Sequence, residues 1–456
     1  MKEVSMPTGL RRFMLVLALL GLVTGPLFSQ SNAGANAFGI TMNLGIGVQQ
    51  FNEGVPPAPV TYQSISLAPD ISFGKFGIGL AVALNYRFTG ADNQFEIRAA
   101  DWVPNSFQDF LAIYLPKISY IRWGQKGDPL FLKFGSFDDG TLGDGFIVGD
   151  YANTLFLPAN RHFGLAADLD AGMFQFPYVG IETFVGNLAL LDVLGARLYV
   201  RPLVSTSIPI LSNLEIGVTG AWDTDPYAYT QGAFTTAQPV GVYGADIRVP
   251  VIAVQNVASM VAFTDFATIN GKTMGGMLGV GGKLFNFITY GTQLRLLGQD
   301  FIPNYFGPTY DLFKSTQYDL VQTGGFSPSS VGYYASIGTS FLNDKFIFNV
   351  SLDGPFGAIV PATASNATTA DPHLRGVLSL ADGVIPNITF DFTYDKKAID
   401  TWASLVSAQD ANINAQFNFK SGAAVISFIY TITYSPSSTP NPWIVTSGLQ
   451  SSIALF

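Results

Sequence analysis

Apolar and polar residues alternate along most of this chain. From Leu80 to Thr89, Leu80, Val82, Leu84, Tyr86 and Phe88 share one face, and Ala81, Ala83, Asn85, Arg87 and Thr89 share the other. From Phe346 to Asp353, Phe346, Phe348, Val350 and Leu352 oppose Ile347, Asn349, Ser351 and Asp353. Ile388 to Asp395, Ile413 to Lys420 and Ala196 to Arg201 repeat the pattern. A period of two is the strand period, with one greasy and one polar face. Strand-like segments of this kind number near twenty. No linker or shift in composition divides them, so residues 36–456 are expected to form a single domain.

A soluble sandwich also alternates, so the character of the two faces decides. The polar face here carries Asn, Thr, Gln, Ser and Gly with isolated Asp or Arg, which suits a water-filled or plugged lumen rather than an outer surface rich in Lys and Glu. The apolar face ends in rings at Tyr86, Phe88, Trp222, Tyr394, Tyr430 and Tyr434, the residues that sit at the membrane–water boundary of a barrel. Composition agrees. Of 456 residues 48% are hydrophobic and only 12% charged, against about 25% charged in a typical soluble domain. Glu is present 5 times and Asp 27 times, so helix formers are scarce. Mean hydropathy is +0.31, yet beyond residue 30 no run of about 18 apolar residues could cross a bilayer as a helix. The expected fold is all-β: a single transmembrane antiparallel β-barrel, whose closure removes the sheet edges that hydrocarbon would not tolerate.

The first 35 residues have a different order. Arg11 and Arg12 precede an apolar stretch from Phe13 to Val23, then Gly25-Pro26 and the small polar run Ser29 to Ala33. This is the layout of a cleaved secretory signal, too short in its apolar part to be an anchor helix. With no Cys there is neither a lipid-bearing thiol nor a disulfide framework. Without residues 1–30 the chain has 20 basic and 31 acidic side chains, a formal charge of −11, which argues against nucleic acid as a partner.

The chain ends on Phe456 after an alternating strand. A terminal Phe in this setting resembles the assembly signal of bacterial outer-membrane β-barrel proteins. The resemblance implies a porin-like architecture in the outer membrane of a diderm bacterium, with outer-membrane lipids and the barrel-assembly machinery as partners and a homo-oligomer as a further option. In phase with Phe456 lie Ala454, Ser452 and Gln450, whereas Leu455, Ile453, Leu449, Val445 and Trp443 take the other phase, a departure from the family pattern. Roughly 370 residues of strand and turn, at a little over 20 per strand, give about 16–18 strands, an even number being usual.

The longest break in the alternation is 135–160, rich in Gly and Asp. It reads either as a surface loop or as an inward-folded constriction, in which Asp138, Asp139, Asp144 and Asp150 would face the wall residues Arg87, Arg197, Arg201 and Arg295. Opposed charges across a narrow lumen filter solutes by charge and dipole. Calcium is a poorer reading, because the twelfth position from Asp138 is Gly149 rather than Glu. Asp101 to Leu111 and Lys397 to Asn412 have helix-like spacing, the latter through Ile399, Trp402, Leu405 and Val406, and Phe301 to Gln322 is rich in Tyr, Phe and Pro.

Enzymatic readings fail on the residues. His162 and His373 are the two histidines, and the G-x-S-x-G elbow that would put a nucleophile beside His162 and Asp168 or Asp170 is missing. Two distant histidines are a poor metal site. Gly271-Lys272-Thr273 lacks the phosphate loop's earlier glycine, Phe266 standing there. No catalytic residue, metal or cofactor is therefore expected. Three readings stay open: a channel for small hydrophilic solutes resembling general porins, a transporter of hydrophobic compounds resembling long-chain fatty-acid channels, and a non-conducting surface barrel.

Overall fold

The computed structural model describes residues 38–53, 58–90, 92–156, 161–229, 237–342, 345–357, 372–399, 401, 403–407, 409–422, 424–434 and 443–454. The expected leader and Phe456 lie outside the described residues. Twenty-two strands form one antiparallel sheet. It begins with β1 (Phe38–Glu53), β2 (Ala58–Phe73), β3 (Phe76–Leu80) and β4 (Val82–Thr89) end to end, and β5 (Gln94–Ile97) in line with β6 (Ile118–Trp123). There follow β7 (Leu130–Gly135), β8 (Gly164–Asp170), β9 (Val179–Val185), β10 (Val193–Val200), β11 (Glu215–Asp223), β12 (Val240–Val254), β13 (Ala258–Ile269) and β14 (Thr273–Leu284). The last eight are β15 (Ile288–Leu297), β16 (Ser330–Phe341), β17 (Phe346–Pro355), β18 (His373–Ile385), β19 (Ile388–Lys396), β20 (Ala411–Ser421), β21 (Ala424–Tyr434) and β22 (Trp443–Ala454). β22 pairs back to β1, from Asn43↔Ala454 to Ile46↔Ser451, so the run of pairings returns to its start.

β3 and β4 share one wall position, as do β5 and β6, so the 22 strands occupy 20 positions. This is more than the 16–18 expected, and the reason is local. The strands from β6 to β11 are only 6 to 9 residues long, so a wall position there uses fewer residues than the average assumed.

The two faces follow the alternation. Ile46, Val48, Val218, Leu278, Leu296 and Ile337 point outward, with Leu278 62% and Val48 68% exposed. Arg197, Asp246 and Asp223 point inward and are no more than 3% exposed. Trp222 donates from Nε1 to the Tyr243 hydroxyl at 2.9 Å on the outer face, near the rim where β11 ends.

Antiparallel order puts connections alternately at two rims. At one rim they are mostly short turns such as 74–75, 255–257, 285–287 and 386–387. Asn256, Asn286 and Asn387 adopt positive φ there, a conformation Asn tolerates better than most residues. The other rim carries the long connections, 136–163, 298–329, 356–372 and 397–410 among them.

Two of the long connections turn inward. The segment 136–156 packs on inward-facing residues of β9 to β14, and 301–323 packs on it, through a parallel bridge from Val148 to Phe306 and a hydrogen bond from the Asn304 amide to the Phe146 carbonyl (2.7 Å). Phe137, Phe146, Ile147, Tyr151, Phe301, Tyr305 and Phe306 are all buried in one apolar cluster with Phe131, Phe184, Val242, Ile269 and Met277 of the wall. Close approach requires small wall residues. A Cβ on Gly275 would lie 2.5 Å from the Phe301 ring, and one on Gly244 2.7 Å from Ile147.

The wall is interrupted at 98–117. The Arg98 amide donates to the Asn85 carbonyl and the Ala81 amide to the Lys117 carbonyl, so this insertion fills the place beside β4 where a strand would continue. It contains a helix, Phe107–Tyr114, capped by Ser106, whose hydroxyl accepts from the Asp109 amide at 3.0 Å. The expected helix at 101–111 is thus shifted towards the C-terminus. The one expected over 397–412 is reduced to a single turn, Ser404–Val406, with Trp402 outside the described residues. Thr401 and Ser404 side chains bond each other's backbone there, and the Tyr394 hydroxyl donates to the Leu405 carbonyl at 2.6 Å; both compete with helical bonds.

Candidate functional site

The inner wall carries a ladder of paired charges. Arg197, fully buried, donates from Nε and Nη2 to Asp246 (2.9 and 2.5 Å) and from Nη1 to Glu182 (3.0 Å), with Glu215 at 3.8 Å. Arg201 reaches Asp170 (2.6 Å) and Glu215 (2.9 Å). Asp170, Glu182, Arg197, Glu215 and Asp246 come one each from β8 to β12, Arg201 follows β10 directly, and register sets Arg197 opposite Glu182. Paired charges in a low-dielectric interior hold one another strongly, because removing either leaves its partner uncompensated.

The 136–156 segment touches this ladder through its backbone. The Gly143 amide donates to Glu182 at 2.8 Å, and Lys126, in the turn between β6 and β7 at the short-turn rim, donates to the Thr141 carbonyl at 3.0 Å. The segment therefore reaches far into the barrel.

Its aspartates find other partners than those expected. Asp144 lies 3.6 Å from Arg248, and Asp150 is 3.0 Å from Arg375 of β18. Asp138 and Asp139 are exposed. Arg87 pairs with Glu96 across the β4–β5 hairpin (2.9 Å), and Arg295 with Asp353 (2.9 Å). The four expected arginines are thus engaged by carboxylates of the wall, and the partners Arg248 and Arg375 were not legible because register across distant strands is not written in either segment.

A second cluster ties 301–323 to the rim. In the Tyr310–Thr323 helix, Lys314 lies between Asp192 (2.8 Å) and Asp223 (3.3 Å), all three buried. Tyr310 donates to Asp223 at 2.8 Å, Tyr151 donates to Asp311 at 3.0 Å, and His162 lies 3.9 Å from Asp311. The Tyr229 ring stacks on His162 and lies 4.5 Å from the Lys314 ammonium. Burial alone would pull Lys314 down, but Asp223 and Asp192 outweigh it and hold the ammonium above its ordinary value. Burial pushes Asp311 up to about 7 and Asp144 up to about 6, against the lowering pull of Lys314 and Arg248 respectively.

The sign for stability follows. An acid whose folded pKa is raised binds more protons folded than unfolded, so it costs nothing below pH ~4 and its cost grows until the folded pKa is passed. Unfolding in denaturant, followed in detergent, should therefore show greatest resistance of the infolded segments near pH 4–5 and a decline levelling off above about pH 7. A profile rising from pH 5 to 7 would contradict these assignments.

A third group surrounds a cavity of about 210 Å³ between 301–328 and the inner face of β15 to β19. Arg295, Asp353, His373, Asp395, Arg375 and Asp150 form a row: His373 lies 3.2 Å from both Asp353 and Asp395, and Arg375 3.0 Å from Asp150. The neighbours of His373 are two carboxylates, and among the described residues there is no metal-ligating group of three or more.

Charge buried within a wall whose greasy side chains are exposed reverses the order of a soluble protein, and the rims show short turns against long loops. The fold is that of a transmembrane β-barrel. Searches find no matching protein-family model and no matching curated protein. Among solved structures, the barrel is similar to OpdL of Pseudomonas aeruginosa (8% identity, 91% of this chain and 97% of that chain, TM-score 0.31). It is also similar to OccAB4 of Acinetobacter baumannii (9%, 91% and 96%, 0.31) and to the outer membrane protein OprD from P. aeruginosa (10%, 93% and 94%, 0.30). Likeness at that level says nothing of what this barrel carries.

Proposed function

We propose that this barrel is an outer-membrane channel for small hydrophilic solutes, which pass along the half of the lumen that the infolded segments leave uncovered. One observation carries the reading: the buried apolar cluster draws its wall residues from β7 to β14, with Leu297 of β15 packed against it, whereas the inner faces of β19 to β21 and β2 carry Thr389, Thr393, Asn414, Gln416, Asn418, Thr431 and Ser64. Amide and hydroxyl side chains exchange hydrogen bonds with water and with polar solutes at little cost, while hydrocarbon surface would not. In this reading 136–156 is a constriction, and Asp150, 60% exposed in its side chain, is the acid that faces the path.

Single-channel recording of the full chain in planar bilayers should give ohmic steps with a cation preference. Asp150→Asn is expected to move the reversal potential in a salt gradient towards the unselective value, since the path loses an acidic charge and Arg375 its closer carboxylate. A folded, heat-modifiable barrel that passes no current would overturn the channel reading in favour of a sealed surface barrel.

A further inference from the structure

We infer that the cavity between the 301–328 segment and β15 to β19 is a binding site for a neutral, polyhydroxylated ring of monosaccharide size. The inference rests on the channel reading, placing a solute site within it. The volume, about 210 Å³, is below the range usual for drug-sized ligands, so the occupant is small.

The lining selects among small solutes. Rings and charges are interleaved in the lining: Tyr334 of β16 lies beside the Arg295 guanidinium at 4.8 Å, Phe313 beside the Lys397 ammonium at 5.7 Å, and Phe301, 4% exposed, adds a third ring next to the charged row from Arg295 to Asp150. The charges of that row are matched within it: Arg295 with Asp353, His373 between Asp353 and Asp395, Arg375 with Asp150 and, at 3.9 Å, with Asp395; Lys397, the other cation of the lining, lies over the Phe313 ring. A charged solute would have to displace one member of a pair and leave another charge opposed. A neutral solute meets no such cost, because a guanidinium has five donors and a carboxylate about four acceptor sites, more than one pairing uses.

An acceptor in particular is left over. Asp395, 6% exposed in its side chain, gives Oδ1 to His373, while its Oδ2 has no hydrogen-bond partner and only the Arg375 guanidinium nearby, at 3.9 Å. Hydroxyl groups supply donors to such an atom and accept from arginine at the same time. The C–H face of a sugar ring covers an aromatic ring without desolvating charge. Donors, acceptors and rings converging on one small space are the requirements of a polyol rather than of a simple anion or amine.

Calorimetric titration of the refolded full chain with glucose, acetate and ethylammonium tests this. Glucose is expected to saturate one site, while acetate and ethylammonium at equal concentration give no saturable heat. In Asp150→Asn glucose should bind about tenfold more weakly and acetate should begin to bind, because Arg375 loses its 3.0 Å partner and keeps only Asp395, 3.9 Å from its Nε. Acetate or ethylammonium binding the native protein more tightly than glucose would overturn the inference. So would indifference of glucose to Asp150→Asn, or absence of saturable heat in protein shown folded by its heat-modifiable migration. Currents recorded from the same preparation keep the two readings apart: conduction without glucose binding sinks this inference alone, and binding without conduction sinks the channel alone.

Discussion

Lys314→Met is expected to free the 301–323 segment from the rim and to lower stability by about 3–5 kcal/mol, the usual result of removing one partner from a buried ion pair. Lys314, Asp192 and Asp223 have side chains no more than 2% exposed, so solvent cannot take over the lost charge. Asp311, already pushed up to about 7 by burial, would lose the cation that pulls it down. Two measurements check this: the denaturant midpoint in detergent, which should fall, and the single-channel conductance, which should rise as the segment leaves the lumen. Adding Asp192→Asn to Lys314→Met should recover part of the midpoint, since one carboxylate fewer is left unpaired. An unchanged midpoint and conductance would mean that the apolar cluster alone holds the segment.

Arg197→Met should cost as much or more. Its guanidinium is fully buried and serves Asp246, Glu182 and Glu215 together, and the loss of one such partner from a buried pair alone costs about 3–5 kcal/mol. The temperature at which the barrel loses its compact electrophoretic mobility should drop sharply. Arg197→Lys should rescue little of it, because an ammonium cannot reproduce the two-pronged contact with Asp246. Arg201→Met should have the smaller effect, its side chain being 19% exposed and so partly repaid by water. Equal effects at the two positions would contradict the assignment of Arg197 as the centre of the ladder.

The wall was legible in the sequence because its signal is local. Ile413, Ala415, Phe417 and Phe419 against Asn414, Gln416, Asn418 and Lys420 states which face meets lipid, and β20 follows it. The interior was less legible for an equally physical reason. Residues 135–160 show a break in period two, which marks a non-strand segment without saying where it goes. The arginines its aspartates meet, Arg248 and Arg375, are separated from it by about a hundred to more than two hundred residues. The Tyr310–Thr323 helix was hidden differently. Its buried face, Tyr310, Asp311, Lys314, Gln317 and Tyr318, has helical spacing but is polar, and a search for greasy stripes passes over it. Asp192 and Asp223 look like ordinary loop and strand-end residues until Lys314 is placed between them.

The uneven height of the wall has a consequence for the bilayer around it. A six-residue strand such as β7 is about 20 Å long at ~3.3 Å per residue, and with a tilt near 40° it rises only about 15 Å, short of the ~25 Å apolar band of such barrels. The sixteen residues of β2 rise about 40 Å on the same estimate. Lipid packed against β6 to β9 is therefore mismatched while lipid against β1 and β2 is not, and acyl chains must shorten on one side. The Phe107–Tyr114 helix stands in that low sector with Phe107 76% exposed. A helix satisfies its own backbone in hydrocarbon, so it supplies greasy height where no strand does, and gives the barrel a preferred side for its neighbours in the plane of the membrane.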